Sequence, residues 1–150
     1  MKAFPHEYLV TVVNSPQRDV YLCADDSPML STAAPPEFGG PGGRWSPETL
    51  LVAAVGDCFA ITFQGIARAA GLPWSVLRCE VTGTLNRHDG IPQFTRFQIH
   101  ARLGVPTGTS SDAALGVLEK AEHRCLIANS LKAPVLLESI IERVDEPRVA

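Results

Sequence analysis

The chain has 150 residues, of which 45% are apolar and 19% charged, and its formal net charge is −3. That length predicts a single domain over 1–150, large enough to bury a core without disulfide or metal staples. The balance excludes a disordered chain, and the lack of a basic excess argues against nucleic acid as a partner. The start, "MKAFPHEYLV", carries no long apolar segment, and no uninterrupted apolar run approaches ~20 residues. A soluble cytoplasmic protein with no membrane partner is the expectation.

Residues 6–13, "HEYLVTVV", and 18–24, "RDVYLCA", read as two strands, rich in β-branched and aromatic residues and joined by "NSPQ" turn chemistry. Residues 25–45 follow as a long loop, with glycine or proline at each of positions 39–43. Loops of that length in compact domains are often functional. Ser46-Pro47-Glu48 then starts a helix, with serine as cap, proline in the first turn and a carboxylate at the positive end of the helix dipole. The helix should run to Ala70, where Gly71-Leu72-Pro73 stops it. From Leu50 to Ile61 apolar residues occupy nearly every face, which points to a buried helix and, in so short a chain, to a subunit interface.

Residues 74–87 and 92–105 read as a hairpin around "HDGI". In the second strand Phe94, Arg96, Gln98, His100 and Arg102 alternate with Thr95, Phe97, Ile99, Ala101 and Leu103, a period of two. Residues 111–124 read as a second helix, which "RCLIANSLK" extends or restarts, and 133–144 as a last strand. The order predicts an α+β fold of antiparallel sheets around a long central helix.

Four cysteines, at 23, 58, 79 and 125, stand too far apart for a structural zinc, which usually draws two ligands from within a few residues. No metal or other cofactor is expected. Cys58 taken alone favours packing, because free cysteine is among the most buried residue types. Cys125 falls at a helix junction, where backbone amides could stabilise a thiolate, and two thiols are the minimum for attack followed by resolution. An activating cation must come from elsewhere in the chain, and Arg18 and Arg44 are the candidates, with Glu48 available to orient one of them. Glu48 and Cys58 are ten residues apart, ~15 Å along a straight helix. They could then share a site only across a two-fold axis, unless the first turn unwinds.

"WSPETLLVAAVGDCFAITF" followed by "KAEHRCLIANSLKAPV" resembles the OsmC/Ohr family of thiol-dependent peroxidases. The shared pattern is P-E-x-L-L near a helix start, a cysteine ten residues after the glutamate, and a second cysteine in K-A-x-x-x-C. The resemblance implies an intertwined α+β homodimer with its active sites at the subunit interface. It implies Cys58 as peroxidatic cysteine, Cys125 as the resolving cysteine that joins it in a disulfide, and Glu48 as partner of an activating arginine, best matched by Arg18. Organic hydroperoxides, and in some branches hydrogen peroxide, are the implied substrates, with small dithiols or lipoylated proteins as reductants. Leu51, Val55, Phe59 and Phe63 are candidates to hold an alkyl tail, with Arg44 near them at the head of the helix. The competing readings are a non-catalytic dimer that binds a small molecule or lipid, and a thiol redox sensor.

Overall fold

The computed structural model describes residues 3–16 and 19–144. Arg18, an expected site residue, lies outside them. The chain forms two compact units, Met1–Leu51 and Val52–Ala150.

The first unit holds a three-stranded antiparallel sheet of β1 (Thr11–Val13), β2 (Val20–Cys23) and β3 (Leu30–Thr32), in that order. The strand expected over 6–13 is only its last three residues. In the register Thr11↔Cys23, residues 8–10 would face 24–26, where the chain turns through Asp26 in a left-handed conformation (φ 58°). No partner backbone is left there, so the ladder stops. β3 lies within the stretch that the sequence predicts as loop. Its four-residue neighbourhood "MLST" is too short and too closely flanked by proline to show a period, yet Thr32 is 3% exposed and bridges Trp45 in parallel. A one-turn 3₁₀ helix, Pro36–Phe38, shapes the loop between them. Gly40 is obligatory there, since a Cβ would fall 1.6 Å from the Ala34 carbonyl oxygen.

Helix α1 runs over Pro47–Ala70, as its capping signals predict. The Ser46 hydroxyl accepts from the Thr49 amide at 3.2 Å, and the Thr49 hydroxyl accepts from the Ser46 amide at 2.9 Å. This is a reciprocal capping box with threonine in place of the usual glutamate. At the other end Gly71 turns left-handed (φ 62°) and the Leu72 amide reaches back to the Ala67 carbonyl at 3.0 Å. By length and composition α1 could cross a membrane, with mean hydropathy 1.8 over 18 residues. Only 22% of that window is buried, so much of its apolar surface lies uncovered by the chain itself.

The second unit contains the rest of α1, β4 (Val76–His88), β5 (Ile91–Pro106), α2 (Ser111–Arg124), α3 (Leu126–Asn129) and β6 (Val135–Val144). Asp89 and Gly90 both have positive φ (51° and 80°), the two-residue turn that suits the twist of a hairpin. The expected antiparallel arrangement fails at β6, which pairs in parallel with β5. The reason is the connection: α2 and α3 carry the chain back across the sheet, and a helical crossover returns a strand in its original direction.

The clean alternation expected through Phe94 is also interrupted. Thr95 is bulged out between the pairs Thr84↔Arg96 and Leu85↔Phe94. That one-residue slip moves Phe94 onto the core face, where its ring stacks on Phe97 at 5.0 Å. Phe97, Ile99, Ala101, Leu103 and Val105 fill the inner face of β5, each no more than 1% exposed. Against this face α1 turns Val55, Phe59, Phe63 and Ala67, spaced every four residues and fully buried. Two glycines bring helix and sheet together. A Cβ on Gly56 would meet Val81 Cγ2 at 2.9 Å, and one on Gly83 would meet Val52 Cγ2 at 2.7 Å.

Candidate active site

Cys58 and Cys125 are neighbours in the second unit, close enough for the Cys58 side chain to act on the Cys125 thiol, and both are free. The packing that joins them is ordinary. Cys58 stands on α1 beside the buried Phe59, at the margin of the helix's core-facing stripe, and is half-buried. Cys125 ends α2 and continues its buried row, Ala114, Leu118, Ala121, Cys125, all fully enclosed. Its backbone is extended (φ −67°, ψ 106°), which breaks the helix and lets α3 restart at Leu126.

The thiol of Cys125 is pushed up to about 11, chiefly by burial. The amides of Ala128 and Ile127, at the head of α3, pull the other way, and the neighbouring Cys58 adds to the rise. The stabilising junction expected from sequence is therefore present but outweighed: removing the sulfur from water costs its thiolate more than two amide dipoles return. Cys79 faces inward from β4 and burial raises its thiol to about 11 as well. Cys23 ends β2 in the first unit, half-buried.

Glu48 occupies the first turn of α1, and its Oε2 is buried without a hydrogen-bond partner among the described residues. Because α1 is helical without a break from Pro47, the first turn does not unwind, and ten residues of rise, ~15 Å, separate Glu48 from Cys58. Arg44, 49% exposed at its side chain, gives its Nε to Asp19 Oδ2 at 2.8 Å. The same oxygen accepts from the Ser31 hydroxyl at 2.7 Å. These contacts, Arg44 first, hold the Asp19 carboxyl below the usual carboxylate range. Asp19 had no mark in the sequence beyond its place after Arg18.

Of the residues expected to hold an alkyl tail, Val55, Phe59 and Phe63 are consumed by the core, Phe63 meeting Trp74 edge-to-face at 5.2 Å between ring centroids. Leu51 is half-buried. A hollow of about 210 Å³ lies further along α1, lined by Ala60, Ile61, Gln64, Trp74 and Leu77. Asp57 is exposed on that side of the helix. Among the described residues no three His, Cys, Asp or Glu side chains converge to hold a metal ion. The inner face of the sheet is apolar; its outer face carries a contact of His100 Nδ1 with Glu138 Oε2 at 3.0 Å and an ion pair of Arg102 with Glu142 at 3.1 Å.

Residues 40–139, which include both thiols and Glu48, match the model of the OsmC-like protein family. The chain belongs to that family. Within it, this OsmC-like chain is 28% identical over 138 residues to the uncharacterized protein YmaD of Bacillus subtilis (strain 168), covering 89% of this chain and 91% of that one. In fold it is similar to an OsmC-like protein of unknown function from Vibrio cholerae, with a TM-score of 0.83 at 20% identity over 91% of this chain and 100% of that one. It is also similar to an organic hydroperoxide resistance protein OsmC from Legionella pneumophila, with a TM-score of 0.73 at 22% identity over 94% and 99% of the two chains.

Proposed function

We propose that this OsmC-like chain is a cysteine-based peroxidase that reduces organic hydroperoxides. The observation that carries the reading is the adjacency of Cys58 and Cys125, drawn from two helices distant in sequence onto one margin of the core. Family membership and the fold it shares with an organic hydroperoxide resistance protein supply the chemistry to test. The Cys58 sulfur attacks the distal oxygen of the peroxide, the O–O bond breaks and an alcohol leaves. Cys58 becomes a sulfenic acid, Cys125 condenses with it, water departs, and a disulfide remains for an external dithiol or lipoylated protein to reduce.

In this reading Arg18 is the activating cation and Glu48 its holder. The buried, unpartnered Oε2 of Glu48 supports a cationic neighbour, since an isolated buried carboxylate oxygen is costly. The ~15 Å between Glu48 and Cys58 is then bridged by a second copy of the chain, whose Glu48 approaches Cys58 of the first across a two-fold axis. The uncovered apolar surface of α1 supports the same homodimer.

The test is peroxide consumption with cumene hydroperoxide and an excess of dithiol. Cys58→Ser should abolish turnover; Cys125→Ser, given one equivalent of peroxide with no thiol present, should hold a dimedone-reactive sulfenic acid at Cys58 where the parent forms a disulfide. An unchanged rate in Cys58→Ser would sink the reading. A disulfide formed stoichiometrically without turnover would make the protein a redox sensor, and no reaction at either thiol would leave a binding protein.

A further inference from the structure

We propose that the cleft between α2 and the free edge of β6 receives an extended, basic segment of a partner protein, which adds to the sheet as a further strand. The proposal stands apart from the peroxidase reading and from the surface given above to a second copy. Every residue that lines the cleft belongs to α2 or β6, and none to α1.

β6 ends the strand order β4-β5-β6, so among the described residues one side of its backbone has no strand beside it. The Phe97 amide donates to the Pro134 carbonyl at 2.9 Å, and Phe97 stands opposite Val135 in the parallel register. A strand turns successive residues to opposite sides, so the even-numbered residues of β6 bond to β5. Val135, Leu137 and Ser139 therefore turn amide and carbonyl to the open edge. Such an edge is a template for another strand, and folded proteins usually blunt it with a charge, a proline or a covering element. β6 is blunted at its far end, where Arg143 reaches the Thr109 carbonyl and, at 2.7 Å, the Ser111 hydroxyl at the head of α2. The stretch 135–139, ~13 Å long, is left open.

Beside that stretch the cleft has a volume of about 500 Å³. The contact of Arg143 with Ser111 sets α2 running back along the strand, so Glu122 comes toward the Val135 end. Leu115, Val135 and Leu137, all half-buried, give the cleft an apolar floor for the side chains on one face of an added strand. Glu119 and Glu122, neighbours on the helix surface, give its wall two carboxylates. Among the described residues neither has a lysine or arginine in ion-pair contact; Glu122 Oε2 has only His123 Nδ1, at 3.3 Å. The C-terminal end of α2 adds its own negative pole there. A compact ligand would leave the edge ladder unpaired. An extended segment with lysine or arginine among β-branched residues satisfies backbone, floor and wall together: main-chain hydrogen bonds supply affinity and alternate side chains supply choice.

The test pans a phage-displayed library of random heptapeptides on the full chain. Enriched sequences should carry β-branched residues at alternate positions and at least one lysine or arginine. The leading sequence, made as a synthetic peptide, should shift the NMR amide signals of 135–139 and of the facing turns of α2, and leave those of β4 in place. Methylating its backbone nitrogens should weaken binding at least tenfold in one of the two alternating sets. Glu119→Lys combined with Glu122→Lys should weaken binding at least tenfold, and a peptide with glutamate in place of its cations should prefer that variant to the parent. No enrichment overturns the proposal, as do acidic enriched peptides, indifference to both methylated sets, or shifts centred on another edge. Slow hydrogen exchange at the 137 and 139 amides of the free protein, lost on dilution, would give the edge to a second copy and overturn it too.

Discussion

Gly83→Ala tests whether helix and sheet are held at the distance seen between α1 and β4. The added Cβ would stand 2.7 Å from Val52 Cγ2 on one side and 2.7 Å from Phe94 Cε1 on the other. Carbon atoms prefer ~3.5–4.0 Å, so the methyl overlaps both neighbours by about 1 Å. Neither can retreat freely. Val52 is carried on a helix whose next turns bury Val55, Phe59 and Phe63, and Phe94 stacks on the buried Phe97. Overpacking of this kind costs ~1–3 kcal/mol. Alanine recovers ~0.4–1 kcal/mol by restricting the unfolded chain, leaving a mid-range net loss of about 1.3 kcal/mol. Urea unfolding at one fixed protein concentration should show the midpoint falling by ~0.5–1 M with the slope unchanged. Gly116→Ala, inside α2 with no atom within 4 Å of the new Cβ, should instead raise the midpoint by up to ~1 kcal/mol of stability. A Gly83→Ala midpoint at or above the parent's, or shifts of one sign in both variants, would refute the packing argument.

Three further outcomes are expected. Ser46→Ala removes the acceptor of the Thr49 amide and should cost ~1 kcal/mol, with faster hydrogen exchange at that amide; unchanged exchange would show the cap to be idle. Burial lifts the Cys79 thiol from 9.0 to about 11, so the folded chain keeps a proton that the unfolded chain releases. Its contribution is intact below pH 9 and is lost as pH rises through 11; Cys79→Val should therefore lose less stability than the parent between about pH 8 and about pH 10.5, and parallel losses would place the effect elsewhere. Ile61, 61% exposed on α1, should tolerate aspartate within a monomer but not against a second copy. Ile61→Asp is expected to sediment as a monomer with its helical signal intact, and a monomeric parent would refute the dimer.

Much of the second unit can be read from local pattern. The ends of α1 follow from Ser46, Pro47 and Gly71, and the hairpin turn from Asp89-Gly90, because caps and tight turns are satisfied by atoms a few residues away. The short elements of the first unit are less legible. β3 is a strand because Thr32 finds partners at Val20 and Trp45, and nothing in "MLST" announces either. β1 is short because Asp26 turns the chain opposite it.

The candidate site divides along the same line. Cysteines of the right number and spacing, a glutamate after a helix-capping serine and an arginine early in the chain are properties of the sequence, and they carry the family with them. Three distant outcomes belong to packing alone: the meeting of Cys58 with Cys125, the commitment of Arg44 to Asp19, and the withdrawal of Val55, Phe59 and Phe63 into the core. The parallel return of β6 is of this kind too, since strand direction is set by where α2 lands and not by any residue in "VLLESIIERV". Local sequence determines what a segment can satisfy by itself. Only the tertiary structure decides which of its remaining groups lose water, and that loss makes Cys125 an enclosed thiol while leaving Cys58 half open.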